Sequence, residues 1–339
     1  MGRVPRIMIK IILGVVALVV LLVVGSIVAV NVSPRPFAWY LLNYDSGFSP
    51  VTPGIYHELS QNVRAEKDIE YPSRFKNNQL DVFSPKDATS PLPTILWIHG
   101  GAWIGGDKAA YATWATIVAA RGYTVVLINY ELAPQVHYPS PIIQLGEAYQ
   151  FVKANAQRLP TVELHRLIIG GDSAGAQLAS QLIAMQSNPG LVKSMQLPTI
   201  IPEKDIIGAI LYCGLYDLRS LYDSENWLER FYVRQVGWAY FGIRHWRDAR
   251  QALDASTVEQ ITPGYPPTFI TEGNTRSFET DSRKLEAKLK QNGVYVDSLY
   301  YPVEHGKLNH EYQFDFSIPE SIECYDRTLA FLTKITASR

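Results

Sequence analysis

From Ala65 to the C-terminus, short β-rich runs alternate with stretches of helical spacing, and this alternation limits the fold more than any other feature of the 339-residue chain. VRAEKDIEY (63–71) and QLDVFSP (79–85) read as two antiparallel edge strands. PTILWIHGG (93–101), TVVLINY (124–130), RLIIGG (166–171), IIGAILYCG (206–214), PPTFITEG (266–273) and VDSLYYPV (296–303) read as further strands, the first two as fully buried ones. Between them lie helical runs: 111–123, ending at Gly122; 140–157, with Ser140 as cap and Pro141 in the first turn; 174–185; 281–293; and a closing helix from Ser321. Strands alternating with helices imply an α/β fold whose mostly parallel sheet is flanked by helices on both faces.

One stretch interrupts the rhythm. Residues 218–262 lie between two strands, read as helical and are rich in Trp, Tyr and Phe. An insertion of that length is a functional element or a small subdomain. It is expected to form a helical cap over the site, together with residues 33–64, which are rich in Pro and aromatics and show no clear period.

Ahead of that segment runs IILGVVALVVLLVVGSIVAV, Ile11 to Val30, uncharged and about the ~20 residues a helix needs to cross a bilayer. Arg3, Arg6 and Lys10 flank it on one side, favouring a single-pass protein with its N-terminus in the cytoplasm and the rest extracytoplasmic. A cleaved signal peptide, leaving a secreted protein, is the competing reading. Its apolar core is normally shorter and ends in a small-x-small site, whereas here the run continues into VAVNVSPRP. The expected organisation is a membrane anchor over 1–32 and one folded domain over 33–339. Pro34 and Pro36 stop the anchor helix, and Phe37, Trp39 and Tyr40 suit a membrane interface.

Net charge is −1 with no basic stripe, which argues against a nucleic-acid partner. The two cysteines, Cys213 and Cys324, form no CxxC pair and sit in apolar surroundings, as buried free thiols do.

The chemistry is carried by two segments. GGDSAG contains G-x-S-x-G as Gly171-Asp172-Ser173-Ala174-Gly175, following the strand RLIIG and opening a helix. That turn is a nucleophile elbow: flanking glycines allow a tight bend that presents the serine. A serine hydroxyl is a weak nucleophile at neutral pH and needs a base within hydrogen-bond reach. Upstream, LWIHGGAW places His99-Gly100-Gly101-Ala102-Trp103 at the end of a buried strand. Backbone N–H groups there, with that of Ala174, can hold a developing oxyanion.

With INYELAP (128–134), these segments make the chain resemble α/β-hydrolases of the hormone-sensitive-lipase-like and feruloyl-esterase-like (BD-FAE-like) branch, from about Ala65 to the C-terminus. The resemblance implies a serine esterase with Gly101, Ala102 and Ala174 as oxyanion donors and His99 as a structural residue. Ala102 stands where the lipase-like branch usually has a third glycine; donation by its N–H is unaffected.

The expected chain order is serine, acid, histidine. PVEHGKLNHEYQF holds two late histidines. His310 is the expected base, by its spacing to the closing helix and by likeness of LNHEYQF to the histidine loop of bacterial members. His305, in an HG pair, is the alternative. In the family the acid stands as G-x-x-D after the strand that here reads TFITEG, and counting from Gly273 gives Arg276, which cannot accept a hydrogen bond. Nearby carboxylates are Glu272, Glu279 and Asp281, with Glu304 and Glu311 beside the histidines. Asp281 is the expected acid, drawn from an unusual place; a Ser-His dyad without an orienter is the other reading.

The resulting expectation is a membrane-anchored serine carboxylesterase acting on a small-molecule ester through an acyl-enzyme, needing neither metal nor organic cofactor. A catalytically impaired or non-catalytic binding module, supported by Arg276, is the rival.

Overall fold

In the computed structural model, residues 6–44, 50–223 and 226–337 are described; Arg3, among the anchor's basic flank, lies outside them. Eight strands form one sheet: β1 (Val63–Glu70), β2 (Gln79–Pro85), β3 (Leu92–Ile98), β4 (Thr124–Ile128), β5 (Val162–Asp172), β6 (Ile206–Tyr212), β7 (Thr268–Thr271) and β8 (Val296–Leu299). Their order is β1-β2-β4-β3-β5-β6-β7-β8. β2 pairs antiparallel with both β1 and β4, and every other pairing is parallel.

The helices are α1 (Arg6–Val32), α2 (Arg35–Tyr44), α3 (Tyr56–Ser60), α4 (Ala112–Ala119), α5 (Ser140–Ala154), α6 (Ala174–Ser187), α7 (Pro189–Met195), α8 (Trp227–Phe241), α9 (Arg250–Ala255), α10 (Glu279–Gln291) and α11 (Pro319–Ala337). β3 shows why the central strands lack polar alternation. Ile95 and Trp97 belong to an apolar cluster with Ile117 and Val118 of α4 and Phe331 of α11. Leu96 and Ile98 belong to the opposite one, with Leu145 of α5 and Leu178 and Leu182 of α6. A strand covered on both faces reads as a near-continuous apolar run; Thr94, the polar residue within β3, donates its hydroxyl to the Leu92 carbonyl at 3.0 Å. Trp97 anchors the first cluster, its ring 4.1 Å from that of Trp114.

Pro141 lies in the first turn of α5 as expected, but Ser140 is already helical; Pro139 holds the cap position and no side chain caps this end. Cys213 and Cys324 are buried and free.

The insertion at 218–262 is helical, built on α8 and α9. α8 starts at Asn226, whose side chain accepts from the Leu228 N–H, and stops at Gly242, φ +70°. Trp246 packs so closely beneath α8 that a methyl at Gly237 would strike its indole. Phe37 of α2 meets Phe231 of α8 edge to face at 5.4 Å, and Leu42 of α2 lies beside Gly105 of the glycine loop. The stretch after α2 divides differently: Tyr56, Leu59 and Val63 pack into the α4 side of the body. α1 is long and apolar enough to cross a membrane: within Ile7–Val32, an 18-residue stretch reaches a mean hydropathy of 3.2. Its end is tied to the insertion by Gln235, which donates to the Val30 carbonyl at 2.8 Å.

Candidate active site

Parallel register brings the C-terminal ends of the central strands level. Asp172 pairs with Tyr212, and Tyr212 with Thr271. The next residue on each strand is therefore Ser173, Cys213 and Glu272, side by side at the sheet edge. Ligands of open α/β sheets bind along this edge.

Ser173 sits between β5 and α6 at φ +51°, ψ −123°. This is a rare conformation for a residue with a side chain, and it persists because the surroundings impose it. Its N–H is fixed to the Tyr212 carbonyl at 2.9 Å. Gly171 and Gly175 are needed for contact rather than freedom: a methyl at Gly175 would collide with the carbonyls of Ile98 and His99, and one at Gly171 with Ile98. The elbow is thus pressed against the end of β3.

Three successive residues after β3 have positive φ: Gly101 (+110°), Ala102 (+53°) and Trp103 (+59°). The Gly101 carbonyl accepts from Ile104 and Gly105 at 3.0 and 2.8 Å, closing a tight turn. Trp103 locks this loop, donating from Nε1 to Gln177 Oε1 at 3.1 Å and stacking on Tyr240 of α8 at 4.4 Å. Among the described residues, the N–H groups of Gly101, Ala102 and Ala174 have no acceptor. Free donors held this rigidly beside a nucleophile suit an oxyanion. His99 is wholly buried and stacked on Tyr130, with Nδ1 bonded to the Gly100 carbonyl at 2.8 Å. Burial pushes its pKa down to about 4, so it is a neutral packing residue.

His310 Nε2 lies 3.0 Å from Ser173 Oγ. Its Nδ1 lies 3.3 Å from Glu272 Oε1. Glu272 is fully buried and also accepts from the Gly273 N–H at 2.8 Å and the Phe278 N–H at 3.2 Å. Loop 273–278 thus wraps around this carboxylate and aims it at the imidazole. Burial disfavours the imidazolium, but the charge of Glu272, its hydrogen bond and the charge of Glu311 outweigh that, and the His310 pKa is raised above its usual value near 6.5. Phe278 meets the ring edge to face at 5.2 Å. The histidine loop is stapled to the acid loop: the N–H groups of Asn274 and Thr275 both donate to the Leu308 carbonyl at 2.9 Å. Asn274 also accepts from the Leu308 N–H at 2.9 Å and donates to the Gly306 carbonyl at 2.8 Å.

The structure corrects the expected acid. Asp281, in the first turn of α10, does not reach His310; it is buried and accepts from the backbone N–H groups of Tyr216 and Asp217, the latter at 2.9 Å. Burial raises its pKa to about 6, against the opposing pull of these bonds. It braces the loop after β6. Arg276 is exposed in the loop that follows Glu272, with φ +48°. Glu279 pairs with Arg283 at 2.7 Å. His305 is remote as well: Nε2 is 2.7 Å from Glu320 Oε1 in the first turn of α11. Of the nearby carboxylates in the sequence, Glu272 is the one bonded to His310, and the signal for it is its place immediately after TFIT, level with Ser173. Cys213, Glu272 and His310 offer potential metal-ligand atoms within 4.8 Å of one another. Glu272 and His310 already bond each other, however, and Cys213 Sγ faces Gln313 Oε1 at 3.7 Å.

The sheet, the strained elbow after β5 and a histidine from the loop after β8 define an α/β-hydrolase. The BD-FAE family model matches residues 80–289, and the chain belongs to that family. It is similar to the probable carboxylic ester hydrolase LipM of Mycobacterium tuberculosis, 28% identical over 68% of this chain and 53% of the relative. It is also similar to a putative α/β-hydrolase, R526, of Acanthamoeba polyphaga mimivirus, 31% identical over 66% of this chain and 63% of the relative. The chain thus spans between half and two thirds of the length of these curated relatives. Among solved structures it resembles esterase B of Lactobacillus rhamnosis, with a TM-score of 0.70 at 20% identity, covering 86% of this chain and 89% of that one. That likeness is one of fold.

Proposed function

We propose that the protein is a serine carboxylic-ester hydrolase, anchored to a membrane by α1, that works through an acyl-enzyme. The observation that carries this reading is the relay Glu272–His310–Ser173, with bonds of 3.3 and 3.0 Å, set beside three backbone donors that have no acceptor among the described residues. Ser173 Oγ attacks the ester carbonyl and its proton passes to His310 Nε2. The oxyanion forms against the N–H groups of Gly101, Ala102 and Ala174. His310 then gives the proton to the leaving alcohol, and the acyl group stays on Ser173. Water repeats the sequence and frees the acid. Glu272 holds the imidazole in the tautomer with hydrogen on Nδ1 and stabilises the imidazolium.

The substrate class is a small-molecule carboxylic ester, in keeping with the names of the curated relatives. Residues 218–262 and α2 act as a cap, supported by the stacking of Trp103 on Tyr240 and by the lie of Leu42 against Gly105. Lys10 ahead of the apolar span supports a cytoplasmic N-terminus and an extracytoplasmic catalytic domain. A non-catalytic module loses its main support, because Glu272 supplies the acceptor that Arg276 lacks.

The test uses the full chain in detergent micelles. Hydrolysis of short p-nitrophenyl esters and fluorophosphonate labelling are expected in the natural protein and lost in Ser173→Ala. Absence of both in the natural protein would sink the enzyme reading.

A further inference from the structure

The cap carries a surface that the relay does not use. Among the described residues outside α1, eleven large apolar or aromatic side chains are exposed, and six of them lie on α2 and α8: Trp39, Tyr40, Leu42, Trp227, Leu228 and Tyr232. The tryptophans sharpen the pattern. Of the seven in the chain, only Trp39 and Trp227 are exposed, at 58% and 66%. Exposed apolar residues scattered singly are ordinary, whereas a patch gathered on two touching helices marks an interaction surface.

The six belong together. At about 100° per residue, Phe37, Ala38 and Leu41 of α2 turn toward the protein, and Trp39 and Tyr40 turn away from it. On α8, Trp227, Leu228, Phe231 and Tyr232 recur at helical spacing along one stripe, with Glu229 and Arg230 to either side of it. The helices meet through Phe37, whose ring lies 5.4 Å from Phe231 and 5.8 Å from Tyr232. Trp39 stands two residues beyond Phe37, and Trp227 one turn before Phe231, so the exposed tryptophans flank a single contact.

This surface is fixed to the end of α1. Two residues separate α1 from α2. The Ser33 N–H donates to the Ala29 carbonyl at 3.0 Å, and the Ser33 hydroxyl accepts from the Arg35 N–H at 3.2 Å. The α8 stripe reaches α1 as well: Gln235, one turn past Phe231, makes the 2.8 Å bond to the Val30 carbonyl, one of the end carbonyls that a helix cannot satisfy itself. The apolar run ends at Val30, so an anchored α1 leaves the bilayer there. The composition suits that depth. Tryptophan and tyrosine are enriched at the membrane interface, and α2 has Arg35 as its one charged residue. A second copy of the chain is the competing occupant; attachment to Val30 favours lipid, because a surface held there is already at the bilayer.

The same helices reach the reacting groups. Leu42 lies beside Gly105 of the glycine loop, and Tyr240 of α8 stacks on Trp103 at 4.4 Å. We propose that α2 and the start of α8 are seated in the interfacial layer of the membrane that α1 spans, and that the site takes its ester from the lipid phase. The substrate is then an ester whose acyl chain or alcohol partitions into a bilayer. The inference rests on the reading of α1 as an anchor and of the site as an ester hydrolase.

The test uses the full chain reconstituted in phosphatidylcholine vesicles, with and without bromine on the acyl chains. Flotation reads whether the chain stays with lipid. Bromolipid is expected to quench part of the tryptophan fluorescence of the natural protein, and the double variant Trp39→Gln/Trp227→Gln is expected to lose that quenching. Two esters are compared: p-nitrophenyl palmitate dissolved in the vesicles and p-nitrophenyl acetate in water. The double variant should hydrolyse the palmitate on the order of tenfold more slowly, because a tether helps only where its geometry lets both ends engage. Its rate on the acetate should match the natural one, which also shows that the fold is kept. A chain that floats without bromolipid quenching, an unchanged rate on the palmitate, or an equal loss on both esters would overturn the proposal and leave the anchor standing. Tryptophans shielded from bromolipid and from aqueous iodide alike would overturn it in favour of a second copy. A chain that does not float would refute the anchor and the proposal with it. A natural protein inert to both esters would refute the hydrolase reading, while quenching still decides where the cap lies.

Discussion

Glu272 and His310 meet at 3.3 Å although they are 38 residues apart and come from different loops. The bond is the part of the relay with the least local determination, and the one whose loss is most informative. Glu272→Gln is expected to lower kcat by about 10⁴-fold with a small effect on KM, because a neutral partner favours the wrong tautomer. Glu272→Asp, one methylene short, should fall between the two. Steady-state kinetics on p-nitrophenyl acetate, beside thermal unfolding to show that the fold is kept, provide the check.

The acid limb of the rate profile follows from His310. Its conjugate acid is stabilised by Glu272 and Glu311 beyond the cost of burial, so its pKa lies above the usual 6.5. Only the neutral imidazole can take the serine proton. Activity should therefore rise with pH through a midpoint above that value and should be lost below it. A midpoint at or below 6.5 in kcat/KM would contradict the arrangement described for this pair.

Asp281 separates structure from catalysis. Asp281→Asn retains an oxygen for the N–H groups of Tyr216 and Asp217, and is expected to keep ester hydrolysis near the natural rate. Asp281→Ala removes that acceptor and should cost about 1–3 kcal/mol of stability. The folded pKa, about 6, lies above the unfolded value near 3.8. The protonated form thus contributes stability that is fully present below the unfolded value and is lost as pH rises through the folded one. The size is on the order of 2–3 kcal/mol. Denaturant titrations between acid and neutral pH should show this component in the natural protein and not in Asp281→Asn.

Arg276 is exposed, and among the described residues no hydrogen bond or ion pair joins it to Ser173 or His310. Arg276→Ala is expected to change stability by less than about 0.5 kcal/mol and to leave hydrolysis intact. Arg276→Asp, introduced into Glu272→Gln, is expected not to rescue it. Rescue, read as recovered kcat, would mean that the loop can present an acid from its tip.

The contrast between Glu272 and Arg276 shows what the sequence could reveal. The strand–helix alternation, the elbow at Ser173 and the glycine loop at Gly100–Gly101 are local patterns, and the structure places all of them where the sequence suggested. His310 was preferred over His305 by its distance from the closing helix, and it is the histidine beside Ser173. The acid was different. Its position depends on how far β7 runs relative to β5, a register between strands about 100 residues apart in sequence, which no local pattern encodes. Counting forward from Gly273 assumed a loop that delivers its fourth residue to the histidine. Here the loop folds back, and its Gly273 and Phe278 N–H groups clasp the residue that precedes it.

The shared acceptor at Leu308 has a consequence for motion. Two adjacent amides, Asn274 and Thr275, close onto a single carbonyl at the root of the histidine loop. Neither loop can peel away without freeing both amides, so hydrogen exchange at these two positions should occur through one concerted opening and report a common opening free energy. That free energy measures how seldom the loop of Glu272 parts from the loop of His310.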